Sequence, residues 1–143
     1  MLVKQISIFL ENKSGRLAEV TKILGDNNID ISALSIADTT DFGILRIIVN
    51  DPEKAEEILT ANGYAVSSTS VIAIAVPDEP GGLAKALEVI ASHNIGIEYM
   101  YAFVGKCTNE AMVILRVENP ESVVDILTKN DIKVLPANFV YDL

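Results

Sequence analysis

The chain has one cysteine, one histidine and no tryptophan among 143 residues. A lone thiol, Cys107, cannot close an internal disulfide, and such cysteine usage points to a reducing, cytoplasmic setting. One histidine and one cysteine cannot furnish a usual zinc set, so no metal or other cofactor is expected. Long apolar runs are absent. The strongest, "VIAIAV" at Val71–Val76, falls far short of a membrane span. The opening "MLVKQISIF" lacks the apolar core and small-residue cleavage site of a signal peptide. Basic residues are few, 11 Lys and Arg against 20 Asp and Glu, for a net charge of −9. They stand singly, as Lys4, Lys13, Arg16, Lys22, Arg46 and Lys54 do, rather than in the patch that phosphate contacts require. Neither nucleic acid nor membrane is an expected partner.

Recognisable catalytic patterns are also missing. No G-x-x-x-x-G-K phosphate loop or G-x-S-x-G elbow occurs. His93 stands at a helix end, Cys107 in a turn cluster without an evident basic partner, and Glu53, Glu56 and Glu57 on a helix surface. The chain is therefore not expected to be an enzyme.

What is present is a globular composition, 50% apolar and 22% charged, and a repeat. "LENKSGRLAEVTKILGDNNIDI" (Leu10–Ile31) matches "VPDEPGGLAKALEVIASHNIGI" (Val76–Ile97) at a constant offset of 66. Gly15 falls on Gly81, Leu17 on Leu83 and Ile31 on Ile97. "NDPEKAEEILTANGYAV" (Asn50–Val66) matches "ENPESVVDILTKNDIKV" (Glu118–Val134) at an offset of 68. Two residues are thus added in the second half, near "GKCTNEA". The repeat is a small domain in its own right, longer than a solenoid unit. It divides the chain into residues 1–68 and 69–143, with "SSTS" at Ser67–Ser70 as the linker.

Each half spells the order βαββαβ. "VKQISIF" alternates with period two and reads as a strand. Leu17, Val20, Ile23 and Leu24 recur at helical spacing, predicting a helix from about Arg16 to Asn27. "IDISALSIA" and "ILRIIV" form a hairpin around "DTTDFG". Asp51 as N-cap, Pro52 in the first turn and Gly63 as a stop frame a second helix, and "YAVSS" closes the unit. In the second half, strands are predicted near Val71–Val76, Ile97–Val104, Ala111–Val117 and Ile132–Leu135. Helices are predicted near Gly82–His93 and Pro120–Lys129. Right-handed crossovers fold this order into an antiparallel four-stranded sheet with both helices on one face, a ferredoxin-like α+β unit. The tail "NFVYDL" has no assigned place.

The strand-to-helix junction is written twice, as "NKSGRL" (Asn12–Leu17) and "DEPGGL" (Asp78–Leu83). A glycine there permits angles closed to other residues. The following helix presents free N–H groups that suit a carboxylate. Asn12 can donate and accept hydrogen bonds; ionised Asp78 only accepts. Together these groups match the ammonium and carboxylate of an α-amino acid. A purely structural turn fits the same spacing.

These stretches, with "HNIGI" at His93–Ile97, resemble the ACT domain, a regulatory module of amino-acid metabolism. The family's first turn reads D-x-P-G-x-L, which Asp78, Pro80, Gly81 and Leu83 match. The first half has Asn12 and Ser14 in place of the Asp and Pro. The resemblance implies that two units join side by side into an eight-stranded sheet, with four helices on one face. It further implies that a small amino-acid effector binds at the seam. One turn would contribute Asn12, Lys13, Ser14, Gly15, Arg16 and Leu17, or Asp78, Glu79, Pro80, Gly81, Gly82 and Leu83. The start of the second strand in a facing unit would contribute Asp30 and Ser32, or Glu98, Tyr99 and Met100. The family's asparagine beside that start has Asp30 and Gly96 as its counterparts.

Only the second half carries aromatics here, in "IEYMYAF". Alternation puts Tyr99 and Tyr101 on one face and Met100 on the other. The two sites are therefore unequal, and interface packing is an alternative use of the aromatics. Glu98 or Asp30 would pair with a ligand ammonium or a basic side chain. The implied partners are an amino acid and either a second copy or a regulated enzyme. The alternative is a ligand-free interaction module, self-associating or acting on an amino-acid-metabolism enzyme. A small enzyme on the same sandwich is a third reading, because fold does not fix function.

Overall fold

The computed structural model describes residues 2–11, 13–38, 41–105 and 109–143. Asn12, at the head of the first glycine turn, and Cys107 lie outside the described residues. Two compact units are present. The N-terminal unit holds Lys4–Thr69 together with Tyr141–Leu143. The C-terminal unit holds Ser70–Val140 together with Leu2 and Val3.

The N-terminal unit runs β1 (Val3–Glu11), α1 (Arg16–Asp26), β2 (Ile31–Asp38), β3 (Phe42–Val49), α2 (Pro52–Ala61) and the opening of β4 (Ala65–Pro77). Its strands lie in the order β2-β3-β1-β4, and the β1–β3 and β2–β3 pairs are antiparallel. The core forms where the alternating strand residues Ile6, Ile8, Leu45, Ile47 and Val49 meet Val20, Leu24, Ala55 and Leu59 of the helices. Each large aliphatic side chain removed from water there contributes about 1.5–3 kcal/mol. Helix α2 begins as its sequence dictates: Asp51 accepts a hydrogen bond from the Lys54 N–H at 3.2 Å, and Pro52 occupies the first turn. Helix α1 ends at Asn27, and Asn28 turns the chain with φ 61°.

The C-terminal unit repeats the plan with the rest of β4, α3 (Gly82–Ser92), β5 (Ile97–Ala102), β6 (Glu110–Val117), α4 (Pro120–Lys129) and β7 (Lys133–Val134). Its order is β7-β4-β6-β5, with all pairs antiparallel. Ile72, Ile74, Val76, Leu115 and Val117 pack against Ala86, Ile90, Val123 and Leu127. Both units have the expected ferredoxin-like α+β architecture.

Three details differ from the sequence reading. "SSTS", which holds the boundary between the units at Thr69 and Ser70, is extended strand rather than loop and lies within β4, a strand of 13 residues. The stretch contains no Gly, Pro, Asn or Asp to turn the chain, and its polarity marks exposure rather than a break. The described strands consequently number seven rather than eight. The tail forms a short helix, α5 (Ala137–Tyr141), in which Val140 is buried and the Tyr141 hydroxyl accepts the Lys4 N–H at 2.8 Å. Finally, β2 and β5 carry matching irregularities, between Ile31 and Ala33 and between Ile97 and Tyr99. Such a bulge resets the alternation of side chains along a strand.

Candidate functional site

The two glycine turns have nearly the same conformation. Gly15 has φ 87° and ψ −7°, and Gly81 has φ 85° and ψ −7°. Each stands at the N-cap of its helix with no side-chain cap. An L-residue at such a φ costs about 1–2 kcal/mol, which accounts for both glycines. A side chain at either position would meet no atom within 4 Å, so the backbone angle rather than crowding makes the demand. The chain tightens ahead of each glycine in the same way. The Lys13 N–H reaches the Glu11 carbonyl at 2.7 Å, and the Glu79 N–H reaches the Pro77 carbonyl at 2.9 Å. The closing bond is longer in the first turn, with Arg16 N–H to Lys13 carbonyl at 3.4 Å, than in the second, with Gly82 N–H to Glu79 carbonyl at 3.0 Å.

Side-chain charge separates the turns. At the first, Glu11 binds Lys13 Nζ at 2.8 Å and lies 4.0 Å from the Arg16 guanidinium. Arg16 also pairs with Glu19 at 3.5 Å, and Glu19 accepts the Tyr64 hydroxyl at 2.5 Å. Lys13, first by its hydrogen bond and then by its charge, holds the Glu11 carboxyl below the usual carboxylate range. Burial, and then the Glu19 hydrogen bond, push the Tyr64 hydroxyl above its ordinary value. Exposed pairs of this kind are weak and screened by solvent, so the network can rearrange at little cost. The second turn carries Asp78 and Glu79, both exposed, and neither forms an ion pair among the described residues.

Strand register decides what surrounds each turn. At the end of β1, Glu11 pairs with Phe42, while Asp38 of β2 pairs with Gly43. The start of β2 lies at the opposite end of the sheet, where Ile31 pairs with Val49. Within one unit, therefore, Lys13–Leu17 and the pair Asp30 and Ser32 do not meet. Asp30 is tied instead to Asn50, through Asp30 N–H to Asn50 Oδ1 at 2.9 Å and Asn50 N–H to the Asp30 carbonyl at 3.2 Å. The same separation holds between Asp78–Leu83 and the start of β5. There Glu98 pairs with Arg116 Nε at 3.1 Å, and Arg116 donates to the Ser70 carbonyl at 3.0 Å. Met100 packs against the core of its unit. Tyr99 and Tyr101 stack with ring centroids 6.4 Å apart.

Two grooves flank the first turn. One, of about 190 Å³, is lined by Leu10, Leu17 and Ile36 and by Glu11, Lys13 and Arg16. The other, of about 270 Å³, places Phe9, Phe42 and Tyr64 around Glu11, Arg16 and Glu19. Glu11 and Arg16 form the wall between them. Ile36, Phe42, Tyr64 and Glu11 escaped the sequence reading. The hairpin around "DTTDFG" held a signal for Ile36, because its register carries the end of β2 back to the turn. A third groove, of about 390 Å³, opens between Gly96–Glu98 of β5 and Glu118–Asn119 before α4. In the N-terminal unit Asn50 bridges the corresponding corner. Among the described residues, no cluster of three or more His, Cys, Asp or Glu side chains is placed to hold a metal ion, and no helix is long and apolar enough to cross a membrane.

Comparisons with known proteins agree with this architecture. No curated protein matches the sequence. A protein of Bacteroides thetaiotaomicron with a solved crystal structure is 46% identical, covers 100% of this chain and 98% of its own, and superimposes with a TM-score of 0.94. The ligand-free regulatory subunit of aspartate kinase from Thermus thermophilus has the same fold at 18% identity, with a TM-score of 0.64 over 91% of this chain and 94% of its own. The corresponding subunit from Thermus flavus gives 17% and 0.60, over 88% and 90%. A family model described as an ACT domain pair matches residues 1–141, and the chain belongs to that family.

Proposed function

We propose that the chain is a cytoplasmic regulatory protein that binds a small amino acid at its glycine turns and transmits occupancy to an enzyme partner or a second copy. It carries out no reaction itself. The observation that supports this reading most is the duplicated turn. Two glycines at the same left-handed angle leave the N–H groups of two helices without side-chain caps, where a carboxylate is favoured. Turn and second-strand start lie at opposite ends of each unit. If both contact one ligand, they come from different ACT units, of this chain or of a second copy. The likeness in fold to the regulatory subunit of an aspartate kinase is in keeping with an enzyme partner.

Calorimetry and thermal melts against the twenty amino acids test the reading. A bound effector at 100 times its Kd stabilises the protein by about 2.7 kcal/mol. Gly15→Val and Gly81→Val should each abolish binding at their own turn. Absence of both heat and melting shift at millimolar concentration would overturn the proposal.

A second reading, a ligand-free interaction module, draws on the strands that end the sheet order. Leu34 and Ile36 are exposed on β2, at 38% and 49%. An exposed strand edge is a template for pairing. Sedimentation that depends on concentration and ignores every amino acid would favour it.

A further inference from the structure

We infer that the groove of about 190 Å³ beside the first turn takes an α-amino acid with a small aliphatic side chain, whose two charges exchange with the Glu11–Lys13–Arg16 pairing. The inference rests on the reading of the turn as an amino-acid site, and adds the class of ligand and the turn that binds it.

The lining divides into two parts. Leu10, Leu17 and Ile36 form an apolar wall. Single exposed aliphatic residues are ordinary. Here two of them, Leu17 at 37% and Ile36 at 49%, face one concavity together with Leu10. The other part is charged, with the two cations Lys13 and Arg16 about the single carboxylate of Glu11 in this groove. A ligand carboxylate meets Lys13 and Arg16, the latter shared with Glu19 outside the groove, and Glu11, once released from Lys13, accepts the ligand ammonium. All three side chains are substantially exposed, and weak exposed pairs exchange readily.

Size and charge then select among amino acids. The groove is smaller than the roughly 300–1,000 Å³ of sites for drug-sized ligands, so it suits a small metabolite. A lysine or arginine ligand would add a third cation beside Lys13 and Arg16. An aspartate or glutamate ligand would lay its side-chain charge on the apolar wall, which costs unless that charge is paired. The second turn lacks this pattern, with Gly82 in the place of Arg16 and Glu79 in the place of Lys13.

Calorimetry on the full chain with valine, isoleucine, aspartate, lysine and the 2-oxo acid analogue of valine tests the assignment. Valine or isoleucine should bind at least about tenfold more tightly than aspartate or lysine, in the range that apolar pockets discriminate. Ile36→Asp and Arg16→Gln, both at solvent-facing positions, should each weaken aliphatic binding about tenfold or more with the fold intact by circular dichroism. Methyl shifts of Leu17 and Ile36 on valine addition would locate the ligand independently. Aspartate or lysine binding as tightly as valine, and lost in Gly15→Val, would overturn the aliphatic assignment while leaving the amino-acid reading intact. Unchanged valine affinity in both Ile36→Asp and Arg16→Gln would overturn the groove. Equal affinity for the 2-oxo acid would overturn the role of Glu11. Failure of all amino acids to bind would overturn both readings.

Discussion

Gly82 lies against Pro77: a Cβ atom at residue 82 would fall far inside van der Waals contact with the Pro77 carbonyl oxygen. The next two residues of the second turn thus need glycine for different reasons, Gly81 for its φ of 85° and Gly82 for space. Arg16 occupies the place of Gly82 in the first turn, where the closing hydrogen bond is longer by the difference between 3.4 and 3.0 Å.

Gly82→Ala should therefore destabilise the chain by about 1–3 kcal/mol, the usual cost of overpacking. Gly81→Ala should cost about 1–2 kcal/mol through its backbone angle alone. Urea denaturation of both variants checks the values. Gly81→Asn should recover part of the second loss, because asparagine tolerates left-handed angles, whereas no side chain should rescue residue 82.

The helix starts after Asn50 and Glu118 are equivalent in sequence but not in bonding. Asp51 caps α2 through the Lys54 N–H, while Asn119 makes no side-chain cap to α4. Asp51→Ala should cost about 1 kcal/mol, and Asn119→Ala a few tenths at most. A difference below measurement error in urea midpoints would show that the Asp51 cap contributes nothing.

The first-turn network makes two statements about pH. Lys13 lowers the Glu11 carboxyl from its ordinary 4.5. A lowered folded value contributes stability above the unfolded value and loses it as pH falls through the folded one. The Glu11 carboxyl resonance should titrate below 4.5 and return toward it in Lys13→Met. The Tyr64 hydroxyl is raised above 10.0, chiefly by burial. Its contribution is complete below pH 10 and disappears as pH rises through the folded value. Ultraviolet titration of the wild type minus Tyr64→Phe should give a step above pH 10, and Glu19→Gln should move that step down. A Tyr64 step that does not move in Glu19→Gln would contradict the bond to Glu19.

Much of the fold was legible in the residues. Helix α1 was expected from Arg16 to about Asn27 and runs Arg16–Asp26; α4 was expected and found over Pro120–Lys129. Amphipathic spacing, a proline in the first turn and asparagine or glycine at the end are local signals, and they marked the helices. Ser67–Ser70 spans the boundary between the units as extended strand, because nothing in that stretch turns the chain. Met100, a candidate ligand contact, is partly buried against the core of its unit, which the sequence did not say, because side-chain alternation tells which residues share a face but not which face the helices cover.

The sequence by itself determined the repeat, the doubled βαββαβ order and the position of each glycine turn, since all three depend on periodicity and on angles available within a few residues. Only the tertiary structure decided that β4 is continuous, that Ile36 and Leu17 share a groove, and that Glu11, Arg16, Glu19 and Tyr64 form one chain of contacts. Glu19 and Tyr64 stand 45 residues apart. Such meetings follow from strand register and helix docking, which the whole core fixes at once and no local pattern records.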